Sequence, residues 1–286
     1  MSEHGPAKSL LRHLKALGTP IALPTDDDLD EVVPRRGRGA MLFDFYAPGD
    51  VAEALERYGV TPKLAARGFS ETLVELETSE PERQVVRVRG RRDGALHLLG
   101  EAVMHTDVFS TTAPFARLLH GRKVPLLFIQ WLRLQDPTRA FDAARPRMPG
   151  QDHPGLGVGR EVVRMFLGMA ERLGLGGLAS CPEFAHNAVL YGAVFRFFDP
   201  AAQGRFDALQ EAGAGLTLAE LAWAVAAGAL IDETTGRSLL WARDEMICPT
   251  GEVLRGYLES ADYRERVVEA RAACRLRIDR RRMVDR

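Results

Sequence analysis

Hydrophobic and polar positions alternate along this chain in two rhythms, and the change from one to the other divides it. Between residues 71 and 105 the period is two. In SETLVELETS, Leu73, Glu75 and Glu77 fall on one side and Val74 and Leu76 on the other, the pattern of strands with one buried face. QVVRVRGRRDGALHLLGEAVM reads as a hairpin turning at Arg92-Asp93-Gly94. Val124–Leu134 (VPLLFIQWLRL) is the most apolar strand candidate, and Ala40–Tyr46 (AMLFDFY) reads as a shorter buried strand. From Val158 to Leu173 the period becomes helical, with Val162, Val163, Phe166, Leu167, Met169 and Ala170 on one stripe. Gly174–Gly177 closes that helix. Leu178–Cys181 then reads as a short strand, and Pro182 opens a helix through EFAHNAVLYG. VFRFFDP is either a strand or the packed end of that helix.

Shorter helices are predicted over 7–17, from Asp50 (a cap candidate) to about Tyr58, and at Pro114–His120. Beyond Asp199 the pattern is mainly helical, near 200–212, 217–228, 251–258 and 261–275. A hairpin, ALIDETTGRSLLWA, interrupts these around Thr235-Gly236. The order predicts an α+β protein with a central mixed β-sheet and flanking helices. Residues 1–39 hold an N-terminal helix and connection, 40–198 an α/β domain, and 199–286 a helical extension with a β-hairpin.

Composition narrows the picture. Hydrophobic residues make up 46% and charged residues 27%, which suits a globular chain and excludes a disordered or collagen-like one. No apolar run approaches membrane-spanning length, and the first residues are too polar for a secretory leader. The net charge of −1 gives no global pull toward nucleic acid or anionic lipid. Arg264–Arg286 carries nine arginines against four acidic residues. No aromatic residue interleaves them, so the segment reads as a solvated helix and tail. Cys181, Cys248 and Cys274 are odd in number and far apart. That argues against a disulfide framework or a zinc site, and for a reducing cytoplasm. Only four of the 38 basic residues are lysines, a skew that suggests a GC-rich bacterial source. No lysine follows a glycine, so a Walker A loop is absent, as are GxSxG and HExxH. Trp131, Trp223 and Trp241 sit in apolar surroundings and read as core, and Cys181 as a buried inert thiol.

The strongest chemical signal is HPGLGVGREVVRMF. Gly155, Gly157 and Gly159 alternate directly before a helix, about twenty residues after the Val124–Leu134 strand. Glycines let backbone amides approach a ligand, and a helix N-terminus favours phosphate. The plainer alternative is a flexible start to the helix. Prolines 137, 146 and 149, with Pro154 directly after, mark a long connection over 136–153, of the kind that often acts as a lid. Glu183 and His186 lie three apart and would share a helix face, where either could act as general base. The same spacing resembles half of a di-iron site, with Asp152-His153 as a further donor pair. No second ExxH exists to complete one, so no metal is expected.

Together, Gly155-Leu156-Gly157-Val158-Gly159, the helix after it, and Asn187-Ala188 with Leu190-Tyr191 resemble the acyl-CoA-binding half of GNAT-type N-acetyltransferases. The resemblance covers roughly residues 124–198. It implies a GNAT-like fold and acyl transfer from acetyl-CoA, or another acyl-CoA, to a small-molecule or protein amine. The pyrophosphate would lie on the amides of Gly155, Gly157, Val158, Gly159 and Arg160, the last adding its charge. The pantetheine arm would run beside Val124–Leu134, and Tyr191 would protonate the departing thiolate. The sequence departs from the family pattern in three places. Pro154 stands where Arg or Gln is usual, Asn187 lies closer to Tyr191, and Phe195-Arg196 replaces Gly-Phe. These departures keep open a second reading, a catalytically inactive module that binds a ligand or a protein.

Overall fold

The computed structural model describes residues 41–283. The predicted 7–17 helix, the connection after it and the last residues of the basic tail lie outside them. Residues 41–46 are a tight loop rather than the expected strand. Phe43 and Asp44 take left-handed backbone conformations (φ 56° and 55°), and Gln84 Oε1 accepts the Phe43 N–H at 2.6 Å. Leu42 and Tyr46 are buried nonetheless, so the apolar pattern marked a core anchor.

Helix α1 (Pro48–Arg57) begins at the favoured proline position. Asp50 is its third residue, not its cap, and reaches back to accept the Ala47 N–H at 2.8 Å. A short helix, α2 (Val60–Ala65), follows without having been predicted. Then comes an antiparallel meander of β1 (Thr72–Glu80), β2 (Arg83–Arg92), β3 (Ala95–Phe109) and β4 (Val124–Leu134). Asp93 (φ 51°) and Gly94 (φ 79°) turn β2 into β3, as the Asp-Gly pair foretells. A 3-10 turn at Pro114–Leu119 lies between β3 and β4.

The long connection after β4 leads into α3 (Gly159–Arg172), whose predicted apolar stripe is buried. Gly174 (φ 67°) closes α3. Its N–H and that of Leu175 bond the Glu171 and Ala170 carbonyls, a Schellman closure that needs a residue tolerant of the left-handed region. Then come β5 (Gly177–Ser180), α4 (Ala185–Tyr191), the two-residue β6 (Arg196–Phe197), α5 (Pro200–Ala212) and α6 (Leu218–Ala226). The chain continues with β7 (Leu230–Asp232), β8 (Met246–Pro249), α7 (Glu252–Leu258), α8 (Ala261–Ala273) and β9 (Leu276–Ile278).

The main sheet has seven strands in the order β1-β2-β3-β4-β5-β8-β6. It is mixed: β4 and β5 run parallel, and the other neighbours are antiparallel. The α+β class read from the sequence is therefore right. Strand β8 comes from the region after Asp199, so that region supplies a strand to the sheet itself. The hairpin predicted around Thr235-Gly236 is short: one bridge joins Ile231 to Ser238, the Leu239 and Asp232 N–H groups donate to the Leu230 and Arg237 carbonyls, and β7 pairs on its other side with β9.

Around β4, β5 and β8 both sheet faces are covered. Leu127, Leu178, Met246 and Cys248 join the core shared with α3, while Leu126, Ala179 and Ile247 meet Leu254 and Tyr257 of α7 and Tyr263 of α8. At the β1 end one face meets water and carries ion pairs, with Glu101 between Arg87 and Arg133, as a half-exposed antiparallel sheet does.

Candidate functional site

The candidate region follows from one mismatch of strand lengths. The parallel β4–β5 pairing covers only Leu127–Ile129 against Leu178–Ser180. Beyond it β4 runs on to Leu134, whereas the chain after β5 leaves the sheet at Cys181-Pro182. A cleft of about 2150 Å³ opens there, at the carboxyl ends of two parallel strands, where ligands of open α/β sheets bind.

One lining of the cleft is the glycine turn. The chain at 154–156 is tied to the end of β4: Asp136 N–H donates to the Pro154 carbonyl at 2.8 Å and Leu156 N–H to the Leu134 carbonyl at 3.1 Å. Gly157 has φ 65°, a conformation that only glycine adopts cheaply. A Cβ at Gly159 would meet nothing within 4 Å. Val158 caps α3 without a side-chain hydrogen bond to the first amides of the helix. Gly155, Gly157, Gly159 and Arg160 line the cleft, while Val158 is fully buried beneath the turn. Lys63 pairs with Glu161 at 2.6 Å, fastening α2 to the first turn of α3.

The second lining is β5 and α4. The helix begins at Ala185, not at Pro182. Phe184 is its extended cap (φ −122°, ψ 150°), and the Pro182 carbonyl is held by Trp241 Nε1 at 3.1 Å. Glu183 therefore precedes the helix and shares no helix face with His186. It lies at the rim, paired with Arg243 at 2.6 Å. His186 is 4% exposed, stacks on Phe184 with ring centroids 5.5 Å apart, and lines the cleft. Its Nδ1 is buried and has no hydrogen-bond partner among the described residues. Burial lowers its pKa to about 4, so the ring is neutral at pH 7. Tyr191 ends α4 and lines the same cleft, together with Asn187. Burial raises its phenol to about 12, which keeps it a proton donor.

No family of known proteins matches the chain, and no curated protein sequence matches it significantly.

The connection over 136–153 has no helix or regular strand, as its prolines predict, yet it is well anchored. Trp223 Nε1 donates to the Arg147 carbonyl at 2.8 Å. Any side chain at Gly150 would collide with the Phe184 ring. Of the three tryptophans read as core, Trp131 is 42% exposed and lines the cleft from β4, and Trp223 and Trp241 are half-buried. Each of the last two spends its indole N–H on a carbonyl. Cys181 is exposed, not buried, and desolvation and the neighbouring Asp244 and Glu245 raise its thiol pKa, so it is no activated nucleophile. No group of three metal-ligating side chains occurs among the described residues. The sequence reading missed Arg67 and Arg145. Arg67 Nη2 would lie 3.2 Å from a Cβ on Gly157, and Arg145 Nη1 donates to the Gly155 carbonyl at 3.3 Å. The available signal was the run of arginines at 139, 145 and 147 in the proline-rich connection.

Proposed function

We propose that this chain is an acyl-CoA-dependent N-acyltransferase of GNAT-like plan, acting on an amine. The observation that carries the reading is the open glycine turn at an uncapped helix start, facing a cleft that also holds a protonated tyrosine. The order of elements supports it. A parallel strand pair is joined through this turn and α3, and α4 with Tyr191 follows directly. The cofactor's pyrophosphate lies on the amides of Gly155, Gly157, Val158, Gly159 and Arg160, and its pantetheine arm beside Gln130–Leu134, where β4 has outrun β5. Tyr191 protonates the thiolate as the amine attacks the thioester carbon.

Of the two base candidates, the geometry favours His186. It is neutral, buried in the cleft and has an unpartnered nitrogen, whereas Glu183 is tied to Arg243. A base of pKa about 4 is weak, and this observation favours the second reading, a binding module without catalysis. Three free cysteines suit a reducing bacterial cytoplasm. Among the described residues no helix is long and apolar enough to cross a membrane.

The test is calorimetric titration of acetyl-CoA into the wild type and into Gly159→Glu. Gly159 is a cleaner probe than Gly157, where a side chain would be strained by the positive φ and would meet Arg67. Glutamate in a first helical turn is well tolerated, and its carboxylate would occupy the phosphate's space. Wild-type binding weakened at least about tenfold by the substitution supports the reading. No wild-type binding at millimolar cofactor, or equal binding by both, overturns it.

A further inference from the structure

The glycine turn is backed by a group of arginines that no family motif supplies. Arg67 reaches it from the loop between α2 and β1, and Arg139 and Arg145 come from the 136–153 connection. Arg67 Nη2 approaches Gly157 closely. Its Nη1 is buried and lacks a hydrogen-bond partner among the described residues. A buried guanidinium donor without an acceptor is costly, and natural structures rarely leave one so. Burial and the facing charges of Arg145 and Arg139 lower the pKa of Arg67, and only Asp136 acts in the opposite direction. Asp136 is itself fully buried. Its Oδ1 accepts from the Thr138 N–H and hydroxyl at 3.1 and 2.6 Å, while its Oδ2 has no partner. Arg139 has a distant companion in Asp142, at 3.8 Å. The group is thus a concentration of cations with an unused donor beside Gly157, and Arg145 also lines the cleft.

We propose that Arg67, with Arg145 and Arg139, grips a phosphate group of the ligand held at the glycine turn, and so ties the 136–153 connection to the body of the protein when that ligand binds. The proposal rests on the cofactor reading for the identity of the ligand but not for its chemistry. A guanidinium fork suits the oxygens of phosphate, and an anion between Arg67 and the two loop arginines removes their mutual repulsion. The bound phosphate belongs either to an acyl-CoA or to a free polyphosphate.

The experiment titrates inorganic pyrophosphate, and separately acetyl-CoA, into the full chain and into Arg67→Met, Arg145→Met and Asp136→Asn, at low and at moderate salt. Wild type should bind pyrophosphate. Arg67→Met should weaken it about tenfold or more, and Arg145→Met by a smaller factor. Asp136→Asn, which removes the opposing negative charge, should tighten it. Wild type that does not bind pyrophosphate, or arginine variants that bind it as wild type does, overturns the proposal. If Arg67 serves only to balance Asp136, then Arg67→Met and Asp136→Asn lower the melting temperature alike and neither moves pyrophosphate affinity, which also overturns it. Should Arg67→Met fail to fold, Arg145→Met on the surface connection carries the test alone. Pyrophosphate binding that needs Arg67, with no binding of acetyl-CoA, sustains the phosphate grip while the acyltransferase reading falls. Acetyl-CoA binding that ignores both arginine substitutions does the reverse.

Discussion

The two linings of the cleft are built on opposite electrostatic principles. At the glycine turn the wall is backbone and cations: uncapped amides of α3, Gly159 open to solvent, and Arg67 and Arg145 close behind. Along α4 the wall is aromatic and apolar, and burial acts against charge. It lowers His186 to about 4 and raises Tyr191 to about 12, so both side chains are neutral at pH 7. An anion is stabilised at the first wall and excluded from the second. This division suits a ligand that is charged at one end and reacts at the other. It also separates binding from chemistry, so substitutions on the two walls should fail in different ways.

The largest expected effect is on the apolar wall. Tyr191→Phe removes the proton donor while leaving the ring that packs near Phe195. Acyl transfer should fall about 10²- to 10⁴-fold in kcat, with the dissociation constant for acetyl-CoA unchanged within about twofold. Steady-state kinetics beside calorimetry separates the two quantities. A loss of affinity with unchanged kcat would mean that Tyr191 is a packing residue and that the division of the walls is wrong.

The walls also differed in how far the residues announced them. The turn was legible because Gly155, Gly157 and Gly159 precede a helix whose apolar stripe is unmistakable, and local backbone needs show in local sequence. The strands β2, β3 and β4 were legible for the same reason. Where long-range contacts decide, the reading failed. Residues 41–46 look like a strand, but Gln84, far along the chain, holds Phe43 in a turn. Strand β7 finds β9, far along the chain, beyond its short hairpin return. Strand β8 has only four residues, and its place between β5 and β6 is set by a sheet edge that no local pattern encodes. Arg67 is the same case at the site. Nothing beside it in sequence places it under Gly157. Glu183 and His186 were paired by helical spacing, which fails because the helix starts two residues after Glu183.

The apolar wall also answers to pH. The ordinary histidine pKa of 6.5 is lowered to about 4 for His186 by burial. Between those values the unfolded chain binds a proton that the native state does not. The stability is therefore full above about pH 6.5 and is lost as pH falls toward 4, on the order of 2–3 kcal/mol. His186→Gln abolishes this loss, so its melting temperature should fall less than that of wild type between pH 7 and pH 5. The carboxyls of Asp207, Asp244 and Glu245, raised mainly by desolvation, act in both proteins and cancel in the difference. Parallel melting curves would show that His186 titrates normally and is solvated. In kinetics, the acid limb of kcat should follow an apparent pKa well below 6.5, and His186→Gln should lower kcat about 10²-fold.

The smallest expected effect belongs to Glu183, and its smallness is what makes it informative. Its pair with Arg243 is short, at 2.6 Å, but Arg243's side chain is 62% exposed and that of Glu183 39%. Such pairs contribute less than about 1 kcal/mol, because water screens them and two long side chains must be ordered. Glu183→Gln should thus move the melting temperature by no more than a few degrees. Moderate salt should erase even that difference. It should leave kcat within about twofold, since a carboxylate held by a guanidinium at the rim is a poor acceptor for the proton of an amine in the cleft. If Glu183→Gln instead lowers kcat as strongly as Tyr191→Phe does, the proton leaves through a charged group at the rim. The apolar wall is then not where the reaction is driven, and the contrast between the two linings loses its chemical meaning.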